Sequence, residues 1–267
     1  YFDFYLLHNL GDNRIKAFDD FGIWDFVQEK KAQGVLKHVG FSFHDTPEVL
    51  REIIALHDWD FAQIQLNYLD WNLLQNAKGQ YDVLVEHGLP CVVMEPVRGG
   101  ALATLCPEGC KMLQEAEPMR SPASWAIRFA ASQPNVMVVL SGMSSMEQVQ
   151  DNIATMSAFA PLTEQERVLL QKVAQVYLDS KVVPCTGCRY CMECPAGVDI
   201  PLMFKLYNGY ATTEDEDTFL PAYRAAGEAH QAHQCVACRQ CLEKCPQHIN
   251  IPEKLAQIKA LAAKLDN

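Results

Sequence analysis

Residues Cys185-Thr186-Gly187-Cys188-Arg189-Tyr190-Cys191-Met192-Glu193-Cys194-Pro195 decide half of the fold. They are echoed by Cys235-Val236-Ala237-Cys238-Arg239-Gln240-Cys241-Leu242-Glu243-Lys244-Cys245-Pro246. Three thiolates with two residues between each can wrap one face of a four-iron cubane, because the short spacers let the backbone curl around the inorganic sulfides. The fourth ligand comes from farther along, and where two such clusters share a domain it comes from the other run. The spacing therefore predicts two [4Fe–4S] clusters. Crossed ligation would group Cys185, Cys188 and Cys191 with Cys245, and Cys235, Cys238 and Cys241 with Cys194. Zinc suits the pattern poorly, since a structural zinc site takes four ligands, typically as two separated pairs. Disulfides suit it poorly as well, since dense disulfide scaffolds are typically small secreted domains and this chain has 267 residues. Cys91, Cys106 and Cys110 fall outside both runs. Cys91 sits in an apolar run and reads as core.

Working outward, Asp199-Ile200-Pro201 after the first run is repeated as Asn250-Ile251-Pro252 after the second. Each proline is suited to open a helix. Pro201 to Tyr207 and Pro221 to Ala232 also have helical patterns, which predicts a largely α-helical dicluster module over 185–267. The acidic run Glu214 to Asp217 reads as a solvated loop. Upstream, Thr163-x-x-Glu166 is a capping box. Leu169, Val173 and Val176 follow at helical spacing, giving a linker helix over 161–184 that ends at Lys181 to Pro184, with one face expected on the preceding domain.

The first 160 residues alternate short apolar runs with helical patterns. The runs are Phe2 to His8, Lys37 to Ser42, Phe61 to Gln65, Cys91 to Met94 and Val136 to Leu140. They are largely apolar rather than alternating, as in parallel strands covered on both faces. Thr46-Pro47, Ser121-Pro122 and Ser145 mark helix starts between them. Strand–helix alternation predicts a parallel α/β fold. No Gly-x-Gly-x-x-Gly follows any of the runs, so the open dinucleotide-binding sheet lacks its fingerprint. Gly99-Gly100 after the fourth run and Gly142 after the fifth instead suit the phosphate-binding loops of a (β/α)8 barrel. His8, Ser42, Gln65, Glu95 and Ser141 all stand at carboxyl ends of runs, where barrel active sites form.

A net charge of −11 argues against nucleic acid and anionic membranes as partners. No apolar run is long enough to cross a bilayer. Free thiols and labile clusters point to a reducing cytoplasm. The chain opens at Tyr1 already inside a strand pattern, and it reads as a piece of a longer protein.

Asp3-Phe4-Tyr5-Leu6-Leu7-His8, Gly40-Phe41-Ser42, Gln65-Leu66-Asn67-Tyr68, Met94-Glu95-Pro96-Val97-Arg98-Gly99-Gly100 and Leu140-Ser141-Gly142-Met143 through Asn152 resemble the aldo/keto reductases. Together with the cysteine runs they resemble the branch of that family with a C-terminal ferredoxin-like domain. The resemblance implies five carboxyl-terminal strands of a (β/α)8 barrel over 1–160. It also implies a small carbonyl substrate, NAD(P), and an electron-transfer protein as partner. His8 would be the histidine of the catalytic tetrad, whose Asp, Tyr and Lys lie upstream in the family. Lacking them, this stretch alone is expected to be inactive. Ser42 and Gln65 match positions that hold the nicotinamide carboxamide, and Pro96, Val97 and Gly99 match the pyrophosphate loop. Gln148, Asp151 and Asn152 match the adenosine end, beyond Ser141 and Gly142. Met94 stands where many members stack a tyrosine on the ring, and Phe43 replaces an asparagine. NAD and NADP both remain open. A carbonyl reductase needs no single-electron carrier. The alternative reading is therefore an iron–sulfur electron-transfer protein whose barrel binds a partner or another redox cofactor, and a third is a structural role for the clusters.

Overall fold

All five apolar runs form strands in the computed structural model, which describes residues 1–72, 75–180 and 182–266. In chain order the elements are β1 (Phe2–Leu10), α1 (Asp12–Asp20), α2 (Ile23–Ala32), β2 (Leu36–Phe43), α3 (Pro47–Leu56), β3 (Phe61–Gln65), α4 (Ala77–Glu86) and β4 (Cys91–Met94). Then come α5 (Pro107–Ala116), α6 (Pro122–Ala131), β5 (Val136–Val139), α7 (Met146–Ser157), α8 (Glu164–Asp179), α9 (Ile200–Thr213), α10 (Glu216–Ala225) and α11 (Ile251–Leu265). Lys181, the expected start of the linker helix's end, lies outside the described residues.

Two compact units result. The first comprises 1–97 and 123–167, and the second 98–122 and 168–267. The sequence reading places its domain limits at 160 and 185. The compact units group the segment after β4 and most of α8 with the cysteine runs.

In the first unit the strands run parallel in the order β1-β2-β3-β4-β5. An open doubly wound sheet reverses its order at a switch point, whereas unbroken sequential order is the winding of a (β/α)8 barrel. The inner strands bury almost everything. Phe41, Phe43, Ile64 and Val93 are fully buried, as a strand covered on both faces requires. On β1 and β5, Phe2, Phe4, Met137 and Val138 are exposed. Because all five strands point the same way, their carboxyl ends form one edge.

The second unit has its own apolar core, built from Val198, Ile200, Met203, Phe204, Ile251 and Leu255 among others, with six of the eight run cysteines packed against it. The proline-opened repeat forms as expected. Asp199 caps α9 by accepting the Leu202 N–H at 3.2 Å. Asn250 stands at the same place before α11, without a side-chain cap. The repeat extends to the backbone, with Gly187 and Ala237 in the left-handed region at φ 72 and 53, and Arg189 and Arg239 both at 67. Gly197 and His248 follow at 76 and 50.

Three local expectations shift. The buried face of α8 is Leu170, Val173, Ala174 and Tyr177, and Val173 comes within 3.6 Å of where a Cβ on Gly109 of α5 would stand. Glu216 and Asp217 form the acidic first turn of α10 rather than a loop, with Asp215 as its cap. The stretch from Pro221 breaks at Gly227, φ 82, into two short 3-10 turns, so Pro221 lies inside a helix that ends at Ala225.

Candidate functional site

The carboxyl edge of the first unit gathers most of the residues singled out from sequence. His8 is exposed on β1 where the register with β2 shifts between Leu7 and Leu10, beside Asn9 at φ 57. Such irregularities re-aim side chains. The Asn9 N–H donates to Ser42 Oγ at 2.7 Å, which fixes the buried hydroxyl at the end of β2.

At the end of β3 the buried Gln65 donates from Nε2 to Asp70 Oδ2 at 2.6 Å. Asn67 Nδ2 donates to the same oxygen at 2.6 Å and to the Glu95 carbonyl at 3.0 Å, tying the ends of β3 and β4 together. Asn67 Oδ1 in turn accepts the N–H groups of Leu69 and Asp70. This side-chain turn holds a fully buried carboxylate. Neither Asp70 nor Asn67 stands out in the sequence as a residue that positions Gln65. Their only sequence signal is Asn-x-x-Asp spacing, which is common in surface turns. Pro96 is buried and Val97 half-buried just beyond β4.

After β5, Asn152 Nδ2 donates to Ser141 Oγ at 2.8 Å, so α7 is tied to the strand end that precedes Gly142. Gln148 Oε1 accepts the N–H groups of Ser144 and Ser145, closing a capping box with Ser145 Oγ. Gln148 is exposed and Asp151 half-buried on the same helix.

Gly99 follows Val97 by two residues. It belongs to the second unit, and a Cβ on it would stand 2.0 Å from the Thr186 carbonyl oxygen. That close approach alone accounts for the glycine. Gly100 has open space around it.

The eight run cysteines are all free thiols, and they fall into two groups. One cavity is lined by Cys185, Cys188, Cys191 and Cys245, with Phe204 and Ile251 behind them. The other is lined by Cys194, Cys235, Cys238 and Cys241, with Cys191 at its margin. Burial, and then the neighbouring Cys185, Cys188 and Cys245 thiols, push Cys191 up to about 12. Burial followed by Cys235, Cys238 and Cys194 raises Cys241. Cys185 is raised by burial and by Cys188 and Cys245, while the Gly187 N–H, 3.4 Å from its sulfur, and the Arg98 charge pull the other way. Each group thus draws three thiols from one run and one from the other.

Among the described residues, no three His, Cys, Asp or Glu side chains converge tightly enough to hold a single metal ion. The thiols surround a volume rather than a point, which suits a multi-iron cluster better than tetrahedral zinc. Cys91 is fully buried in β4 and its thiol is pushed up to about 12 by burial, as expected of core. Cys106 and Cys110 lie at the start of α5 and line neither of these two cavities.

The aldo/keto reductase family model matches residues 1–175, about two thirds of the chain. The chain belongs to the aldo/keto reductase family. A 4Fe-4S dicluster domain model matches 184–250, directly after it. The chain is 25% identical over 194 residues to the uncharacterized oxidoreductase YqkF of Bacillus subtilis (strain 168), covering 64% of this chain and 60% of that protein. Among solved structures it is similar to the holo form of aldo-keto reductase AKR11C1 from Bacillus halodurans, at 29% identity and a TM-score of 0.48, covering 65% of this chain and 61% of the other. It is also similar to the thermostable aldo-keto reductase Tm1743, at 19% identity and a TM-score of 0.49, covering 64% and 59%. The chain thus spans about 60% of the length of the relatives it matches. One polypeptide thus carries both an aldo/keto reductase family match and a 4Fe-4S dicluster match. No helix among the described residues is long and apolar enough to cross a membrane.

Proposed function

We propose that this chain is part of an NAD(P)-dependent oxidoreductase in which an aldo/keto reductase barrel works with two [4Fe–4S] clusters. The observation that carries the reading is the division of eight thiols into two groups of four, each drawn from both runs, in a chain that also matches the aldo/keto reductase family. Cys185, Cys188, Cys191 and Cys245 would hold one cluster, and Cys194, Cys235, Cys238 and Cys241 the other. When bound, nicotinamide supplies a hydride of two electrons, and each cluster stores one electron.

On the barrel edge, Ser42 and Gln65 would hold the carboxamide, the former fixed by Asn9 and the latter by Asp70. Pro96, Val97 and Gly99 would border the pyrophosphate. Ser141, Gly142, Gln148, Asp151 and Asn152 would meet the phosphate and adenosine end, beside a helix N-terminus suited to negative charge. His8 would orient the carbonyl of a small substrate. The clusters would exchange electrons with a protein partner in the cytoplasm.

Native mass spectrometry of anaerobically purified full-length protein tests the combination. Bound NAD(H) or NADP(H), and cluster reduction on adding the reduced nucleotide, are the expected results. Intact clusters with no nucleotide bound would instead leave an electron-transfer protein whose barrel serves another purpose.

A further inference from the structure

Arg98 follows β4 by four residues, yet it belongs to the second unit. It is among the largest fully buried side chains of the molecule, 1% exposed. Its Nη1 donates to the Pro184 carbonyl at 2.6 Å, and its Nη2 donates to Gln247 Oε1 at 2.7 Å. Pro184 immediately precedes Cys185, and Gln247 follows Cys245 by two residues. Those two cysteines come from different runs and meet at the same four-thiol cavity. One guanidinium therefore ties together the two chain segments that must converge to complete that site. The backbone is held to match, with Arg98 in the left-handed region at φ 52 and Gly99 pressed on Thr186. A non-glycine residue is kept in that region only where its surroundings over-determine it.

The internal repeat does not reproduce the Gln247 acceptor at the second cavity. Counting from the cysteines, the counterparts of Pro184 and Gln247 are Gln234 and Ala196, and alanine offers no side-chain acceptor. The asymmetry has an electrical consequence. Reducing a cluster adds one negative charge, and a cation fixed in a buried, weakly screened environment favours the reduced state.

We infer that Arg98 is a positioning residue for the cavity of Cys185, Cys188, Cys191 and Cys245, closing it across the two cysteine runs and raising its cluster's reduction potential, with little effect on the other. The inference rests on the two-cluster reading above. Wild-type protein in which two reducible four-iron signals cannot be found would fail that reading, independently of any Arg98 variant.

The test uses anaerobic full-length holoprotein in a mediated dithionite titration followed by electron paramagnetic resonance. Arg98→Gln should lower one midpoint potential and leave the other in place, while Arg98→Lys, which keeps the charge, should stay near wild type. Gln247→Ala keeps Arg98 and removes one of its bonds. It should release half of the iron to a chelator faster than the other half, even if Arg98→Gln fails to hold a cluster. Loss of one cluster alone in Arg98→Gln would support the closing role. Unchanged midpoints at full iron content, both clusters shifting or leaving together, or iron release from Gln247→Ala matching wild type would overturn the inference.

Discussion

The α-carbon of Gly99 lies so close to Thr186 that a methyl group on it would stand 2.0 Å from the Thr186 carbonyl oxygen, at a backbone φ of 60. Both the space and the dihedral demand glycine. Gly99→Ala should destabilise the cysteine-bearing unit by roughly 3 kcal/mol or more and loosen its hold on iron. Gly100→Ala, at φ 91 with nothing within 4 Å, should cost only about 1–2 kcal/mol from backbone strain. Denaturant melts of the two variants, with iron-to-protein ratios, check the order. Equal effects would mean that the contact with Thr186 is not tight.

Asp70 is buried and takes hydrogen bonds from both Gln65 and Asn67. Asp70→Ala would remove one shared acceptor from two buried amides, and should destabilise the barrel unit by roughly 1–3 kcal/mol. If Gln65 holds the carboxamide, nucleotide affinity should fall as well. Chemical denaturation and nucleotide fluorescence titration separate the two effects.

Asn152→Ala removes the bond to Ser141 and should weaken NAD(P)H binding by about 1 kcal/mol, roughly fivefold. Gln148→Ala also opens the capping box of α7, so it should lower stability by about 1 kcal/mol as well as affinity. Unaltered titrations of both variants would remove these residues from the nucleotide site.

The Arg128–Glu166 pair, 3.0 Å apart with side chains 4% and 21% exposed, should carry a pH signature. Burial raises the Glu166 carboxyl, but the Thr163 and Arg128 donors outweigh it and hold the group below its ordinary 4.5. A carboxyl whose folded value is depressed adds stability at pH above the unfolded value, and loses it as pH falls through the folded one. Glu166→Gln should therefore cost roughly 1–2 kcal/mol near neutral pH. The gap to wild type should close in acid, below the ordinary carboxylate range. A gap that stays constant down to acid pH would show that the charge contributes nothing.

Much of this was legible because the signals are local. Parallel strands covered on both faces must be apolar throughout, so Phe61 to Gln65 and Cys91 to Met94 could be read to the residue. Cysteine spacing and the proline after Ile200 and Ile251 likewise need no partner to be recognised. What was not legible depends on distant packing. Nothing near Arg98 or Gly99 announces that they fold against Pro184, Thr186 and Gln247, so the segment after β4 reads as barrel loop. The Gln65–Asp70–Asn67 network is hidden for the same reason, since the donors and the acceptor gain meaning only once buried. The α8 face moved because its period of 3.6 residues allows two neighbouring stripes, and contact with α5 selects between them.

The central claim is that two clusters are held by crossed ligation, and one measurement reaches it directly. Anaerobic protein should carry about eight irons per chain. In Cys194→Ala, spectroscopy should find the cluster of Cys235, Cys238 and Cys241 damaged, while the one beside Cys185, Cys188 and Cys191 persists. Stoichiometric zinc in a colourless sample, or loss of the Cys185 cluster on replacing Cys194, would contradict the account.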